Sequence, residues 1–565
     1  MEFKKNQIVE LYIDDIGNEG EGIGHIDGYA LFLKDAVIGD KVRAKIIKTK
    51  KNYGFARVEE VLEASKDRVT PRCPKARQCG GCTLQHLAYE KQLEYKFNKV
   101  KNCLERIGGL ENIEEKMEPI LGMEEPFYYR NKAQFPVGYD KEGNLITGFY
   151  AGRTHHIIDC THCMIQHPVN EQILLKVLDY MKKNNITAYD EKTHKGLVRH
   201  IVTRVGFKTG QIMVCLVVNG SKKNLKNLDK LVDSLTEIKG MTSICVNINK
   251  EKTNRILGSR IEEVYGKPYI YDYIGNVKYQ IGPLSFFQVN PTQTKVLYEK
   301  AMEYADLKGE ETVWDLYCGI GTISLFLAQR AKKVYGVEIV KEAIDDAKLN
   351  AKMNGFDNAE FFVGKAEEVL PREYEKNGVY ADTIVVDPPR KGCDGKLLET
   401  MVKMAPKRIV YVSCDPATLA RDLKVLSGEG YEVEKVCAVD QFSHSSHVET
   451  VVLLSHKKPD GHINVKVEFG EGEGKGPLDN IAKRAEIYKP KERVTYKMIK
   501  EYIEAKYGFK VHTAYIAEVK RDLGLPMYDA PNAVEELKQP RKHPTAEKVE
   551  AIKDALRYFE IMEEI

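Results

Sequence analysis

The sequence contains no apolar run of about 18 residues, the length that a membrane-spanning helix requires. It also has no excess of either charge, because 86 Lys and Arg residues against 83 Asp and Glu residues give a net charge of only +3. Net charge therefore says nothing about partners. The N-terminal stretch shows no apolar segment followed by a small-residue cleavage site. We therefore expect no secretory signal, no membrane association and a cytoplasmic location.

The length and composition predict a folded chain of several domains. At about 150 residues per domain, 565 residues correspond to three or four domains. The chain is 43% hydrophobic and 30% charged, which excludes global disorder. Its 12 cysteines, in a chain of this size expected in the cytoplasm, do not predict a disulfide framework. They indicate metal binding or catalysis instead.

Four regions follow one another along the chain. Residues 1–62 alternate in short strands between Gly turns, and Lys41, Arg43 and Lys45 share one strand face. Such a basic β-unit predicts an OB-like β-barrel that binds nucleic acid, although a solvated strand face fits equally well. The other regions are an α+β central domain at 63–282, a doubly wound α/β domain at 283–457, and a Gly-rich linker with a helical extension at 458–565.

The strongest ligand signal is a Gly-rich loop in the third region. A short apolar strand ends at Tyr317, and Gly319 and Gly321 follow it before a helix begins. Glycines there let the backbone approach a ligand closely, although a tight turn in any α/β domain is the alternative. The next strand ends in Glu338, an acid placed to bind the hydroxyls of a ribose. The pattern favours an adenosine-containing ligand, and the absence of Gly-x-Gly-x-x-Gly argues against NAD.

Two later strands end in sequences that carry chemistry. One ends at Asp387-Pro-Pro-Arg390, and the other at Ser413-Cys414-Asp415. A cysteine at a strand end beside a helix start can have its thiolate stabilised by the helix dipole and by Arg. From the pattern alone, catalysis and simple packing are equally supported for Cys414.

Taken together, four motifs resemble the RNA uracil-carbon-5 methyltransferase family, whose members use S-adenosylmethionine (SAM). They are DLYCGIGTISL (315–325), VDPPRKG (386–392), VSCDPATLARD (412–422) and HSSHVETVVLL (444–454). The resemblance covers residues 1 to about 457. It implies that the N-terminal unit is an RNA-binding TRAM domain. It also implies that residues 283–457 form a Rossmann-like SAM methyltransferase domain.

The resemblance also implies site residues by position. The nucleophile is expected at Cys414 and the general base at Glu449. Arg130 is a further candidate for contacting the target nucleotide or a phosphate. The expected SAM contacts are Gln288, Tyr317, Glu338 and Asp387.

A cysteine cluster precedes these motifs. Cys73, Cys79 and Cys82 have the spacing Cys-x5-Cys-x2-Cys, and the last pair can bind one metal from a single turn. Both Cys160 and Cys163 are available as a fourth ligand. The resemblance implies a 4Fe-4S cluster with Cys163 as the distant ligand, and zinc is the alternative metal. We expect the cluster to be structural rather than an electron donor.

The resulting hypothesis is SAM-dependent methylation of uridine carbon 5 in RNA by a monomeric enzyme. Large-subunit (23S) ribosomal RNA is favoured as substrate because the TRAM-plus-cluster architecture resembles that branch, and tRNA is the alternative. Asp387-Pro-Pro also suggests an amino-methyltransferase, but such enzymes usually carry an aromatic residue where this chain has Arg390. A non-catalytic RNA-binding iron–sulfur scaffold is the third hypothesis. For the extension, a small bundle docking on the enzyme is favoured over a helix-turn-helix-like module.

Overall fold

A computed structural model describes residues 3–152, 154–456, 496–523 and 543–559. The chain divides into two compact units, residues 1–461 and 462–565. Inside the first unit, the predicted domain ranges 1–62, 63–282 and 283–457 stay predictions. The Gly-rich linker predicted after residue 457 lies outside the described residues.

The first sheet confirms the predicted β-barrel. Asp14 N donates to Ile23 O at 2.9 Å, which brings the end of the first strand against the third and curls the sheet back on itself. The sheet has the order β1-β5-β6-β4-β3-β2. Its strands are β1 Ile8–Tyr12, β2 Asp15–Ile16, β3 Gly22–Ile26, β4 Tyr29–Lys34, β5 Lys41–Thr49 and β6 Tyr53–Glu63.

Two of the three basic residues on one face of β5 pair with acids. Val42, Ala44 and Ile46 are buried, and the alternating residues are half-exposed, as the sequence pattern predicts. However, Lys41 pairs with Glu63, and Arg43 pairs with both Glu10 and Glu60. Cross-strand acids therefore reduce the positive charge that this strand can offer to a phosphate backbone.

The next elements are a long helix, a 3-10 turn and a short strand. They are α1 Tyr89–Arg106, the 3-10 turn Ile113–Lys116 and β7 Met117–Leu121. The apolar face of α1 is buried through residues such as Val100 and Leu104, which join the core of the C-terminal sheet.

A second sheet forms the core of the central region. Its order is β10-β9-β8-β11-β12-β13-β14. Strand β12 is buried along its whole length, as its continuous apolar run predicts. Strand β11 is also buried throughout, although it carries polar residues such as Arg199 and His200. The elements are β8 Lys132–Tyr139, β9 Leu145–Tyr150, β10 Ile157–Asp159, α2 Val169–Lys183, β11 Val198–Val205, β12 Ile212–Val218, the 3-10 turn Lys222–Asn224, α3 Leu228–Thr236, β13 Met241–Ile248 and β14 Arg260–Tyr265.

A hairpin then leads into the predicted doubly wound domain. The hairpin strands are β15 Ile270–Ile274 and β16 Val277–Ile281. The elements that follow are α4 Pro291–Ala305, β17 Thr312–Leu316, α5 Thr322–Ala328, β18 Lys333–Glu338, α6 Lys341–Asn354, β19 Ala359–Val363, α7 Ala366–Asn377, β20 Thr383–Val386, α8 Gly395–Met404, β21 Arg408–Ser413, α9 Pro416–Gly428, β22 Tyr431–Val439 and β23 Glu449–His456.

The third sheet confirms the Rossmann-like architecture. Its order is β19-β18-β17-β20-β21-β23-β22-β7, with β17 to β21 parallel and β23 antiparallel to both of its neighbours. Because the carboxyl ends of parallel strands meet at one edge, this order brings the predicted loops together there. The edge strand β7 pairs with β22. It comes from residues 117–121, inside the range predicted for the central domain.

The second unit confirms the predicted helical extension. Its described helices are Tyr496–Tyr507, Thr513–Asp522 and Ala546–Tyr558. They share a small apolar core that includes Ile503, Ile516 and Ile552. Docking on the enzyme and the helix-turn-helix-like reading both stay predictions. In the part of the chain that the structure describes, no helix is both long and apolar enough to cross a membrane.

Candidate active site

A cavity of about 650 Å³ lies at the carboxyl ends of β17, β18, β20 and β21. It brings together every residue that was predicted to bind SAM or to act in catalysis, although the role of each stays a prediction. These lining residues are Gln288, Tyr317, Glu338, Asp387, Cys414 and Glu449.

The Gly-rich loop leaves room for a ligand beside the backbone. Gly319 has φ +55°, and a Cβ placed there would meet no protein atom within 4 Å. Its amide donates to Glu338 Oε2 at 3.3 Å, and Glu338 Oε1 accepts from Val340 N at 3.0 Å. The acid at the end of β18 is therefore fixed beside the loop that faces the cavity. This arrangement fits an adenosine-containing ligand, as the sequence predicts.

Cys414 lies between the last residue of β21 and the start of α9. Asp415 caps this helix by accepting from Ala417 N at 3.0 Å and from Thr418 N at 3.1 Å. Burial, followed by the charges of Glu449 and Asp387, raises the pKa of Cys414 to about 11. In the protein without ligands, burial therefore outweighs the stabilisation that the thiolate can gain from Arg390, and the predicted role of Cys414 stays a prediction. The positive charge of Arg390 opposes this shift and lowers the pKa of the thiol.

Glu449 opens strand β23 and is buried, with 3% of its surface exposed. Burial, followed by the charge of Asp387, raises its pKa to about 8, and Arg390 opposes the shift. Burial and the neighbouring Asp315 likewise raise the pKa of Asp387. The cavity thus disfavours negative charge, and a positively charged ligand would be attracted to it because it relieves this cost.

Three further residues border the cavity and were not predicted as site residues. Arg390, Phe442 and His447 line both this cavity and a neighbouring one of about 490 Å³. Arg390 Nη2 and His447 Nε2 are 3.5 Å apart. Arg390 and His447 lie within two of the four family motifs, so the sequence could have indicated them as site residues. Phe442 lies before the motif that begins at residue 444, and no motif indicates it. Arg130 lines the neighbouring cavity.

The neighbouring cavity collects the cysteines of the predicted cluster. Cys73, Cys79, Cys82, Cys160 and Cys163 all line it. Burial, opposed by Gln85 and reinforced by the charges of Cys163, Cys79 and Cys73, raises the pKa of Cys82 to about 12. The thiols are thus close enough to interact electrostatically. Among the described residues, no three His, Cys, Asp or Glu side chains form a group that could hold a metal ion. The predicted metal site is not confirmed, and both Cys160 and Cys163 remain candidates for the fourth position.

We expect replacement of Arg390 by Gln to move the pH dependence of methyl transfer to higher pH. In the roles that the resemblance implies, a nucleophile at Cys414 and a base at Glu449, both groups must lose a proton to act, so the rate should rise with pH. Arg390 lowers both of their pKa values. Its removal should shift the rising limb upward by about one pH unit. Single-turnover rates at saturating RNA and SAM, measured between about pH 6 and pH 10, would show this.

The matched control for this experiment is Lys391→Gln. Lys391 lines the same cavity but is not among the charges that act on Cys414 or Glu449. Its loss should leave the limb in place. An equal shift in both variants would mean that general loss of positive charge, rather than the position of Arg390, controls the profile.

The doubly wound sheet, the glycine loop with its acid and the cavity at the strand ends define a SAM-dependent methyltransferase. Residues 88–457 match the tRNA (Uracil-5-)-methyltransferase family, and residues 2–58 match the TRAM domain. Because the first match covers more than half of the chain, the protein belongs to this family. It is an RNA (uracil-C5)-methyltransferase.

Its relatives agree with this assignment. An uncharacterized RNA methyltransferase of Clostridium tetani is 52% identical over 454 residues, covering 80% of this chain and 97% of the relative. Another from Halalkalibacterium halodurans is 52% identical over 457 residues, covering 80% and 98%. The chain is also similar to the crystal structure of Pyrococcus abyssi tRNA (uracil-54, C5)-methyltransferase in complex with S-adenosyl-L-homocysteine. That structure has 29% identity and a TM-score of 0.64, and the match covers 79% of this chain and all of that one.

Proposed function

We propose that the protein methylates carbon 5 of a specific uridine in RNA through a covalent adduct, with Cys414 as nucleophile and Glu449 as general base. The observation that carries this proposal is that Cys414 and Glu449 line one cavity with the glycine loop and Glu338. The reaction needs a nucleophile and a base. A thiol and a carboxyl group that line the same cavity can supply them. SAM, when bound, supplies the methyl group on its positively charged sulfur.

The first task is to make carbon 5 nucleophilic. When the Cys414 thiolate adds to carbon 6, a carbon–sulfur bond forms and the electrons of the carbon 5–carbon 6 double bond move toward the carbonyl oxygen on carbon 4. Carbon 5 of the resulting enolate can then take the methyl group. Since the pKa of the thiol is raised, the thiolate must be favoured by positive charge, which Arg390 supplies from the protein side.

The second task is to remove the proton from carbon 5. Glu449 accepts this proton, the ring double bond re-forms, and the carbon–sulfur bond breaks to release Cys414. The burial that raises the pKa of Glu449 makes its carboxylate a stronger base. A base that is paired in a duplex hides the atoms that react, so the target uridine must be unstacked to enter the cavity.

We propose large-subunit (23S) ribosomal RNA as the substrate, with tRNA as the second candidate. The first choice is supported by the combination of a TRAM domain with a convergent set of cysteines. The second is supported by the similarity to the Pyrococcus abyssi enzyme, which is named for a tRNA uracil. Its chemistry would be the same, because the reaction concerns only the uracil ring and the cofactor.

We further propose that Cys73, Cys79, Cys82 and Cys163 hold a structural 4Fe-4S cluster, with zinc as the alternative metal. The supporting observation is that these thiols face one cavity of about 490 Å³. Four thiolates suit either group. Since the described side chains are not yet at the spacing of one metal ion, the thiols would have to close around the bound group. The cluster would then stabilise the residues that line both cavities, Arg390, Phe442 and His447.

The proposed function is tested by incubating the full-length, anaerobically purified protein with SAM and RNA containing 5-fluorouridine. In 5-fluorouridine a fluorine atom replaces the hydrogen on carbon 5, so there is no proton for the base to remove. The reaction should therefore stop at a covalent protein–RNA adduct. We expect an adduct with ribosomal RNA, and peptide mapping should place it on Cys414. An adduct with tRNA alone would change the substrate and keep the mechanism. No adduct with either RNA, despite bound SAM, would contradict the role of Cys414. Iron, sulfide and zinc analysis of the same sample identifies the metal.

A further inference from the structure

The segment between β22 and β23, residues 440–448, is held in place by helix α1. Lys96 Nζ donates to Phe442 O at 2.9 Å and pairs with Asp440 at 2.5 Å. The side chains of this ion pair are fully buried. Lys99 Nζ, about one helical turn further along α1, donates to Ser446 O at 2.9 Å. Two lysines of one helix therefore bind two carbonyl groups of the β22–β23 connection.

Ser445 bonds to Phe442 O within the β22–β23 connection, and further bonds come from outside it. His444 N donates to Gln92 Oε1 at 3.0 Å, and His444 O accepts from Thr83 N at 2.8 Å and from Leu84 N at 3.0 Å. His444 has φ +62°, a conformation that a non-glycine residue rarely adopts without such support. The path of this connection thus depends on α1 and on the segment that precedes it.

Lys99 differs from Lys96 because it also reaches the first sheet. Its Nζ donates to Asn18 O at 2.8 Å, in the turn between β2 and β3. Tyr95 OH binds the same turn, donating to Gly17 O at 3.0 Å and to Asn18 O at 2.8 Å. One half-exposed ammonium group therefore joins the TRAM domain to the segment that ends immediately before Glu449.

These bonds affect residues that line both cavities. Phe442 and His447 belong to the β22–β23 connection, and both line the active-site cavity. Ser446, whose carbonyl binds Lys99, lies next to His447 and three residues before Glu449. Moving this carbonyl would move His447 and the entry into β23. The bond from Lys99 is therefore placed to set the position of side chains that face the reacting base.

We propose that Lys99 is a positioning residue for methyl transfer: by binding the carbonyls of Asn18 and Ser446 together, it fixes the β22–β23 connection relative to the TRAM domain. This role rests on the proposed function, because it concerns the same cavity. One side chain then fixes the position of the β22–β23 connection relative to the TRAM domain. RNA bound by the TRAM domain would therefore reach the active-site cavity in a defined position.

The test compares Lys99→Met, Lys99→Arg and the control Lys101→Met in the full-length protein. Met keeps the aliphatic stem and removes both bonds, whereas Arg can still donate to both carbonyls. Lys101 lies on the same helix and pairs only at the surface, with Glu114. We expect Lys99→Met to lower the kcat of methyl transfer by about tenfold or more, since hydrogen bonds of a charged donor are lost. SAM binding and the melting temperature should stay close to those of Lys101→Met, and Lys99→Arg should recover most of the rate.

Hydrogen–deuterium exchange gives a readout that does not depend on activity. In Lys99→Met, the amides of residues 441–447 and of the turn at Asn18 should exchange faster, while those of β20 and β21 should not. Unchanged exchange at these two segments would overturn the proposal, whether or not the protein is active. A loss of SAM binding and stability equal to the loss of kcat would also overturn it, because Lys99 would then be merely structural. Absence of the adduct in the wild-type protein would instead refute the proposed function.

Discussion

Replacing Cys414 with Ala should lower methyl transfer by about 10⁴-fold or more, with SAM binding retained. Without the thiolate, carbon 5 of uracil has no route to the enolate and cannot attack the methyl group. Losses of this size are typical when a covalent nucleophile is removed. Cys414 lies outside the regular part of β21 and α9, so the truncation should not disturb the sheet. The measurement is transfer of labelled methyl from SAM to RNA, with SAM affinity determined by equilibrium binding.

Cys437→Ala is the matched control for this loss. Cys437 is buried in β22 and does not line the active-site cavity. The control should therefore keep methyl transfer within a few-fold of wild type, apart from the small cost of a cavity in the core. Normal turnover in Cys414→Ala would exclude the adduct mechanism. It would also return the amino-methyltransferase hypothesis to consideration, since that chemistry needs no cysteine.

Replacing Glu449 with Gln should block turnover after the adduct has formed. Gln cannot accept the carbon-5 proton, so Cys414 cannot be expelled, and kcat should fall by about 10²- to 10⁴-fold. The charge of Glu449 raises the pKa of Cys414, so its removal makes the thiol easier to ionise. Addition to carbon 6 should therefore not be slowed. The expected observation is a protein–RNA adduct with ordinary uridine, stable on a denaturing gel, that wild-type protein does not accumulate.

Glu434→Gln serves as the control for this carboxyl group. Glu434 is exposed on β22 and accepts a hydrogen bond from Ser455, away from the cavity. It should show wild-type turnover and no accumulated adduct. If Glu449→Gln turned over normally, another group would have to take the proton. Of the carboxyl groups that line the cavity, Asp387 would then be tested next, because its pKa is also raised.

Cys414→Ala and Glu449→Gln both change a cavity in which burial disfavours the negatively charged forms of the proposed nucleophile and the proposed base. Burial raises the pKa values of Cys414, Glu449 and Asp387 together, so the protein without ligands disfavours the negatively charged form of each group. A cation that enters the cavity lowers all three values. Binding of a positively charged cofactor and activation of the proposed nucleophile and the proposed base are thus linked by electrostatics. This linkage is consistent with a site that becomes reactive only when the methyl donor is present.

Local patterns in the sequence were sufficient to predict much of this protein. The barrel strands, the order of strands and helices after residue 283 and the helices of the extension follow from periodicity and from Gly and Pro at element ends. The loop at Gly319, the acid at Glu338 and the cysteine at a strand end could be placed on one sheet edge for the same reason. In a parallel sheet, the strand direction alone determines where such ends meet.

Only the tertiary structure decided the features that depend on distant segments. It placed strand β7 beside β22, paired Lys41 and Arg43 of β5 with acids on neighbouring strands, and brought five cysteines to one cavity. It also buried Cys414, and this burial raises the pKa of the thiol by an amount that the motif alone does not indicate. Burial and long-range charge depend on residues far apart in the chain, so they cannot be predicted from the spacing of residues within one motif.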